Sequence, residues 1–336
     1  MTAIHKSVSQ LCIGNPVSLQ NLTMFPLLGE DFGREADYLT LDEALARKQV
    51  HITEVDASGS VPELRFVNEG DQKVLLMDGE ELVGAKQNRT LNISILAAAH
   101  CELRLPVTCV EAGRWSHASA EFASAGRSHY AQGRMFKQAS VSESLHQRGD
   151  RMADQGEVWA DIGLKAARLS APSRTQAMAA MYERHETDVE QFVTGLAPQP
   201  GQCGAIFAIG SRIVGCDLFD CPATFSKLLA KIVRSYALDA VDEAAAQPST
   251  REAPPSSDAH AFLERVGSSG AALFPAVGLG EDARLQSPGI VGGALIVDGQ
   301  IVHMSAFVAP DHTDAAPMPS QMSRASTRRQ NRSQAS

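Results

Sequence analysis

Apolar and polar residues alternate along the first third of the chain, and the period then lengthens. Val50-His51-Ile52-Thr53-Glu54-Val55 repeats every two residues, the spacing of a half-buried strand. Residues 64–67 and 73–77 continue the strand pattern. Residues 41–48 predict a short helix that Thr40 can cap. Asp78-Gly79 lies between 73–77 and 80–83 and predicts a hairpin, because both central residues of a two-residue turn need positive φ. Residues 91–95 alternate cleanly. Leu103, Leu105, Val107 and Cys109 share one face of a further strand, and Pro106 on the other parity predicts an edge or a bulge.

Residues 113–133 are rich in Ser, Ala and Gly and read as a long loop carrying His117, Arg127 and His129. Two helices are predicted next. Residues 147–167 place Asp154, Val158 and Ile162 on one stripe, with Gln155 and Trp159 beside it. Residues 173–196 start on a Ser cap. Gly210-Ser211 predicts a second hairpin between 205–209 and 212–216. Phe225, Leu228, Leu229, Ile232, Val233 and Tyr236 then follow the spacing of a buried helical stripe. Asp298-Gly299 predicts a third hairpin, joining 290–297 to 300–308.

These periods predict an α+β fold. A β-rich part built of antiparallel hairpins (14–115) packs with a mixed helix and strand part (140–310) in one integrated unit spanning 14–310. The Pro- and Ser-rich stretch 247–258 reads as a surface linker, and 311–336 as a disordered basic tail with Arg324, Arg328, Arg329 and Arg332.

Composition changes this picture little. Aromatics are 5% of the 336 residues and apolar residues 44%, so the core rests on aliphatic side chains and alanine. A net charge of −9 disfavours nonspecific binding to nucleic acid. The six cysteines form no Cys-x-x-Cys pair and complete no zinc set, so they read as small buried hydrophobes, and no metal is expected. No run of about 18 apolar residues exists to span a membrane, and no secretory signal is evident at the N-terminus. A cytoplasmic location follows by elimination.

The candidate chemistry lies at Lys86-Gln87-Asn88-Arg89. In a continuous strand, Gln87 and Arg89 would share the apolar face of Leu91, Ile93 and Ile95. A buried arginine there needs a carboxylate or an anionic ligand. A bulge at Gly84-Ala85 would instead gather the four polar groups. Glu111 ends the following strand with inward parity, so an Arg89–Glu111 pair is expected, and Arg114 and Trp115 come immediately after. Clustered donors, a carboxylate and an indole suit a phosphorylated, nucleotide-like ligand, with phosphates on the basic groups and a base on the indole. Gln155, Trp159 and His303 are secondary candidates, each also explicable as core. No P-loop, Gly-x-Ser-x-Gly elbow or His-Glu-x-x-His is present.

The stretch Leu82-Val83-Gly84-Ala85-Lys86-Gln87-Asn88-Arg89, followed by Leu105-Pro106-Val107-Thr108-Cys109-Val110-Glu111-Ala112-Gly113-Arg114-Trp115, resembles the ARG and rhodanese-phosphatase-superfamily-associated protein family, in which ARG denotes ADP-ribosylglycohydrolase. Asp154-Gln155 with Val158-Trp159, Asp217-Leu218-Phe219 and Gly278-Leu279-Gly280 ahead of His303 also fit, so the likeness runs from about Gly14 to Val308. Gly84-Ala85 departs mildly from the pair of small residues, usually glycines, at that place in the family. The resemblance implies a link to NAD-derived nucleotides or ADP-ribose turnover, and it supplies no established reaction, catalytic residue or cofactor.

Two readings result. In the first, Lys86, Arg89 and Arg114 hold phosphates, Gln87 and Asn88 bind ribose or base edges, and Trp115 stacks. Glu111 orients Arg89 or acts as an acid/base in a hydrolase or group transferase. In the second, the motif is a buried structural network in a non-enzymatic protein-interaction module.

Overall fold

Asp298 (φ 52°) and Gly299 (φ 73°) both take the left-handed backbone that a two-residue turn requires. They join the strands Ile290–Val297 and Gln300–Val308. In the computed structural model, which describes residues 2–29, 36–56, 62–116, 118–246 and 252–309, this hairpin lies inside a nine-stranded antiparallel sheet. The order runs from Leu11–Ile13 through Leu22–Gly29, Gln202–Ile209, Arg212–Phe219, Gln300–Val308, Ile290–Val297 and Glu281–Gln286 to Gly270–Pro275, with Val17–Leu19 paired to Leu22–Gly29.

Both faces of the sheet's central strands are covered, which is why Gln202–Ile209 is buried along its whole length. Ala205, Phe207 and Ile209 face the 25-residue helix Pro222–Ala246 through Phe225, Leu229, Ile232 and Tyr236. The Phe207 and Tyr236 rings stack at 4.1 Å. Ile206 and Ala208 point the other way, onto Ile4, Val8, Phe262 and Val266 of the helices Ala3–Ser9 and Ser256–Gly267.

The first part of the chain builds a six-stranded antiparallel sheet and a three-stranded one. The larger runs Phe122–Ser128, Glu80–Gly84, Arg89–Leu91, Cys101–Cys109, Glu63–Asn68, Val50–Glu54. The smaller runs Ile95–Ala97, Lys73–Leu76, Tyr38–Thr40, its last pair parallel. Pro106 sits where Cys101–Cys109 changes partner. Pairing with Glu63–Asn68 ends at Pro106, and pairing with Arg89–Leu91 begins at Val107. The fold is thus α+β, β-rich first and mixed afterwards. Thr40 caps Leu41–Ala46 in a full capping box with Glu43. No helix among the described residues is long and apolar enough to cross a membrane.

Several expectations change. Asp78-Gly79 turns the chain, with Gly79 at φ 81°, but its flanking strands do not pair. Asp78 is drawn inward by Arg134, so the turn passes the chain from one sheet to the other. Residues 113–133 are not one long loop. Despite their weak β-formers, Phe122–Ser128 pairs with Glu80–Gly84, and the helix Ala131–Arg148 begins within the stretch. Gly149 in the left-handed region ends that helix, and Asp154 caps the next, Gln155–Arg168, instead of lying on its stripe. Residues 173–196 hold two shorter helices, Ala179–Arg184 and Glu186–Gly195. The Ser173 hydroxyl accepts from the Ala177 N–H ahead of them and caps neither. The predicted linker 247–258 overlaps a helix that starts at Ser256, and its residues 247–251, like 310–336, lie outside the described residues.

Candidate functional site

The strand Glu80–Gly84 stops where the polar motif begins. Gly84 (φ 135°) and Ala85 (φ 37°) leave the extended region, and a Cβ on Gly84 would lie 2.6 Å from the Glu121 carbonyl oxygen. A non-glycine residue there would be strained as well as crowded. The break gathers the motif into a corner, as a bulge would, rather than spreading it along a strand. Cys109 pairs with Arg89 across the sheet, so the end of Cys101–Cys109 carries Glu111, Arg114 and Trp115 to the same corner.

Arg114 fastens it. Its Nε donates to Glu111 Oε2 at 2.8 Å, its Nη1 to the carbonyls of Ala85 (2.8 Å) and Ser116 (3.1 Å), and its Nη2 to Asn88 Oδ1 (2.9 Å) and the Gly84 carbonyl (3.3 Å). Glu111 Oε2 also accepts from the Asn88 N–H at 3.2 Å. The Gln87 amide donates to the Glu111 carbonyl at 3.0 Å, and Asn88 Nδ2 donates to Glu81 at 3.3 Å. The expected Arg89–Glu111 pair does not form. Glu111 belongs to Arg114, which reaches it from three residues along the chain.

Arg89 is left largely unpaired. It is fully buried, and Nη1 donates to Gln87 Oε1 at 3.0 Å, but Nε and Nη2 have no hydrogen-bond partner among the described residues. Burial pulls its pKa below the ordinary arginine value, with Cys109 and Glu54 opposing. Trp115 lies over it, 5.8 Å from ring centroid to guanidinium carbon and 5.2 Å from Lys86 Nζ, and is itself 49% exposed. Glu54 joins the corner unforeseen. One of its oxygens accepts the Lys86 N–H at 3.3 Å, and the other is buried without a partner among the described residues. A carboxylate at the end of an alternating strand was the available signal.

Of the secondary candidates, Gln155 grips the backbone N–H and carbonyl of Cys109 at 2.9 and 2.8 Å, so it braces the corner from behind. Trp159, one turn further along that helix, is partly buried. His303 lies elsewhere, in an interior ionic network. Arg134 stands between Asp78 and Asp217, and all three are at most 1% exposed. Arg134 Nη2 lies 3.0 Å from Asp78 and 2.5 Å from Asp217. Asp217 also accepts from Tyr236 at 3.1 Å and faces His303 Nε2 at 3.4 Å, and Asp78 accepts from Gln138 at 3.0 Å. Burial alone would raise both carboxyl pKa values, and Arg134 reverses the sign for each. Asp78, Asp217 and His303 together offer three metal-ligand atoms within 4.8 Å, but the guanidinium already supplies the cation that balances the two carboxylates.

Lys137 borders this network, donating to the Leu91 carbonyl at 2.5 Å and to Thr90 at 3.3 Å. Burial pulls its pKa down to about 7, against the pull of Asp78 and with the help of Arg134. The unfolded chain then binds the proton more readily than the folded one between about pH 7 and the ordinary lysine value. In that window Lys137 makes stability rise with pH, by at most about 1.4 kcal/mol per unit. Lys137→Met leaves the Leu91 carbonyl its bond from the Gly79 N–H. The variant should gain on the wild type near pH 7, with the gain shrinking toward about pH 9.5. Urea midpoints at the two pH values check this; a gap that stays constant would sink it.

A model of the ARG and Rhodanese-Phosphatase-superfamily-associated Protein domain matches residues 10–307. Neither the curated proteins nor the solved structures provide a match.

Proposed function

We propose, since the chain belongs to the ARG and Rhodanese-Phosphatase-superfamily-associated Protein domain family, that its Lys86–Arg89 corner binds the phosphate end of an NAD-derived, ADP-ribose-like nucleotide. The observation that carries this reading is the free edge of Arg89. Nε and Nη2 form one side of the guanidinium fork, and that side is the one left unpaired. Two parallel N–H donors in this spacing match two oxygens of a phosphate or carboxylate. A buried cation with two idle donors is costly, and an anion would relieve it. Lys86 adds charge beside it, and the half-exposed Trp115 offers an aromatic face to a base.

A purely structural network accounts for Arg114, Glu111, Asn88 and Gln87, which satisfy one another. It does not account for Arg89. The geometry supports binding more than turnover, because the motif's own carboxylate, Glu111, is engaged with Arg114 and the Asn88 amide. Calorimetric titration with ADP-ribose, AMP and ribose 5-phosphate tests the reading. All three should bind, Arg89→Met should weaken each by at least about tenfold, and Trp115→Leu should weaken the two that carry a base while sparing ribose 5-phosphate. Absence of binding by all three, or binding indifferent to Arg89→Met, would refute it.

A further inference from the structure

The six-stranded sheet curls far enough for its two edge strands, Val50–Glu54 and Phe122–Ser128, to approach each other. His51 of the first faces Glu121, just ahead of the second, at 3.2 Å. The polar corner lies at the end of this curl where Glu80–Gly84 stops and Arg89–Leu91 starts. Val50–Glu54 ends there too, because Glu54 takes the Lys86 N–H at 3.3 Å.

Strand parity sends Glu54 and Arg89 into the same interior. Glu54 follows Val50 and Ile52 on one face of its strand. Arg89 pairs with Leu82 and shares a face with Leu91. These four apolar residues belong to one core cluster, and the two charges stand at its polar end. Opposite charges so placed are expected to meet, yet Arg89 has no salt bridge among the described residues, and Glu54 acts on it only from a distance. The motif holds each back, Glu54 through the Lys86 N–H and Arg89 through Gln87 Oε1. Arg89 Nε and Nη2 and Glu54 Oε2 are all buried with no hydrogen-bond partner among the described residues. The corner therefore offers two idle donors and one idle acceptor. A bare anion satisfies Arg89 and leaves Glu54 Oε2 idle beside a second negative charge. A ligand with a donor next to its anion satisfies both.

The two amides expected to hold the sugar are occupied. Gln87 gives its oxygen to Arg89 and its nitrogen to the Glu111 carbonyl, and Asn88 gives its oxygen to Arg114 and its nitrogen to Glu81. We propose that Glu54 determines specificity at this corner: its Oε2 accepts a hydroxyl of the same ribose whose phosphate lies on the Arg89 fork, so that the site selects ribose phosphates over deoxyribose phosphates. This rests on the nucleotide reading of the corner. Trp115 covers Arg89 and is 49% exposed, so its side chain can turn aside to admit the ligand.

Calorimetric titration of the full chain with AMP, 2′-deoxy-AMP and 3′-deoxy-AMP tests the proposal. In the wild type one of the deoxy compounds should bind at least about tenfold more weakly than AMP, because a hydrogen bond to a carboxylate is a strong one. Glu54→Leu should bring that ratio below about threefold. Glu54→Gln, which keeps an oxygen for the Lys86 N–H, should lower it part of the way, and it decides the matter if the leucine protein does not fold. A residue that only braces the strands would change the affinity for all three compounds alike and leave the ratio where it was. Equal binding of the three by the wild type, or a ratio unchanged in the Glu54 variants that fold, overturns the role of Glu54 and leaves the nucleotide reading standing. Binding of none of the three overturns both.

Discussion

Arg134→Met should cost the protein about 3–5 kcal/mol, a large part of the stability of a typical domain. The side chain is fully buried, and its guanidinium is shared between Asp78 and Asp217, which are equally buried. Methionine fills similar space but leaves the two carboxylates without the cation bonded to both, Lys137 acting on Asp78 only from a distance. The remaining donors, Gln138, Ser305 and Tyr236, are neutral, and His303 touches Asp217 at only 3.4 Å. The pH dependence should also change sign. In the wild type both carboxyl pKa values are lowered, so their contribution is present above the ordinary aspartate value and is lost as pH falls below it. Without Arg134, burial would raise them, and the folded protein would then take up protons that the unfolded chain does not. The variant's deficit should therefore be widest at neutral pH and should narrow toward about pH 4. Adding Asp78→Asn and Asp217→Asn should recover much of the loss, since the triple variant buries no unpaired charge. Denaturant melts of the three proteins at two pH values check this. A loss under about 1 kcal/mol at neutral pH, or a triple variant no better than the single, would mean that the network does not work as an ionic unit.

The same network marks the limit of what could be read along the chain. Asp78 was legible as a turn residue and His303 as a strand histidine, but nothing local reveals that residues 78, 134, 217 and 303 meet. That encounter depends on two sheets docking across the helix Ala131–Arg148, and the start of this helix was hidden inside a stretch of Ser, Ala and Gly. The local signals that did succeed share one property: backbone conformation and burial agree there. Asp298-Gly299, Gly210-Ser211, Thr40 with Glu43, and the stripe from Phe225 to Tyr236 all belong to this class. Asp78-Gly79 shows the converse. The chain does turn there, but only Gly79 is left-handed, and Asp78 is turned inward to Arg134, more than fifty residues away.

At the candidate site, position was legible and partnership was not. The motif residues Lys86 to Arg89, Glu111, Arg114 and Trp115 do converge, because Gly84-Ala85 breaks one strand and Cys109 pairs with Arg89. The pairing of charges could not be foreseen. Arg114 reaches Glu111 from three residues away and takes the carboxylate expected for Arg89. His129 was visible as a residue in a Ser-, Ala- and Gly-rich stretch, but that Gly133 lies against its ring emerges only once the helix Ala131–Arg148 is placed.

The unpaired edge of Arg89 leads to a prediction that separates binding from scaffolding. A side chain kept for the fold makes the protein weaker when it is removed. One kept for a ligand makes the empty protein no weaker, because its cost is met when the ligand arrives. Replacing Arg89 by methionine removes a buried cation with two unsatisfied donors, each of which costs about 1–3 kcal/mol. It also removes the bond to Gln87, worth about 1 kcal/mol, and the contact with Trp115, worth about 0.5–1 kcal/mol. The balance favours the variant: ligand-free Arg89→Met should be as stable as the wild type or up to about 2 kcal/mol more so. ADP-ribose at about a hundred times its dissociation constant should stabilise the wild type by about 2.7 kcal/mol and leave the variant unmoved. Thermal melts of both proteins, with and without ADP-ribose, read the two effects together. If the empty variant instead loses about 3 kcal/mol or fails to fold, Arg89 holds the strands together, and its idle nitrogens are part of the cost of that role.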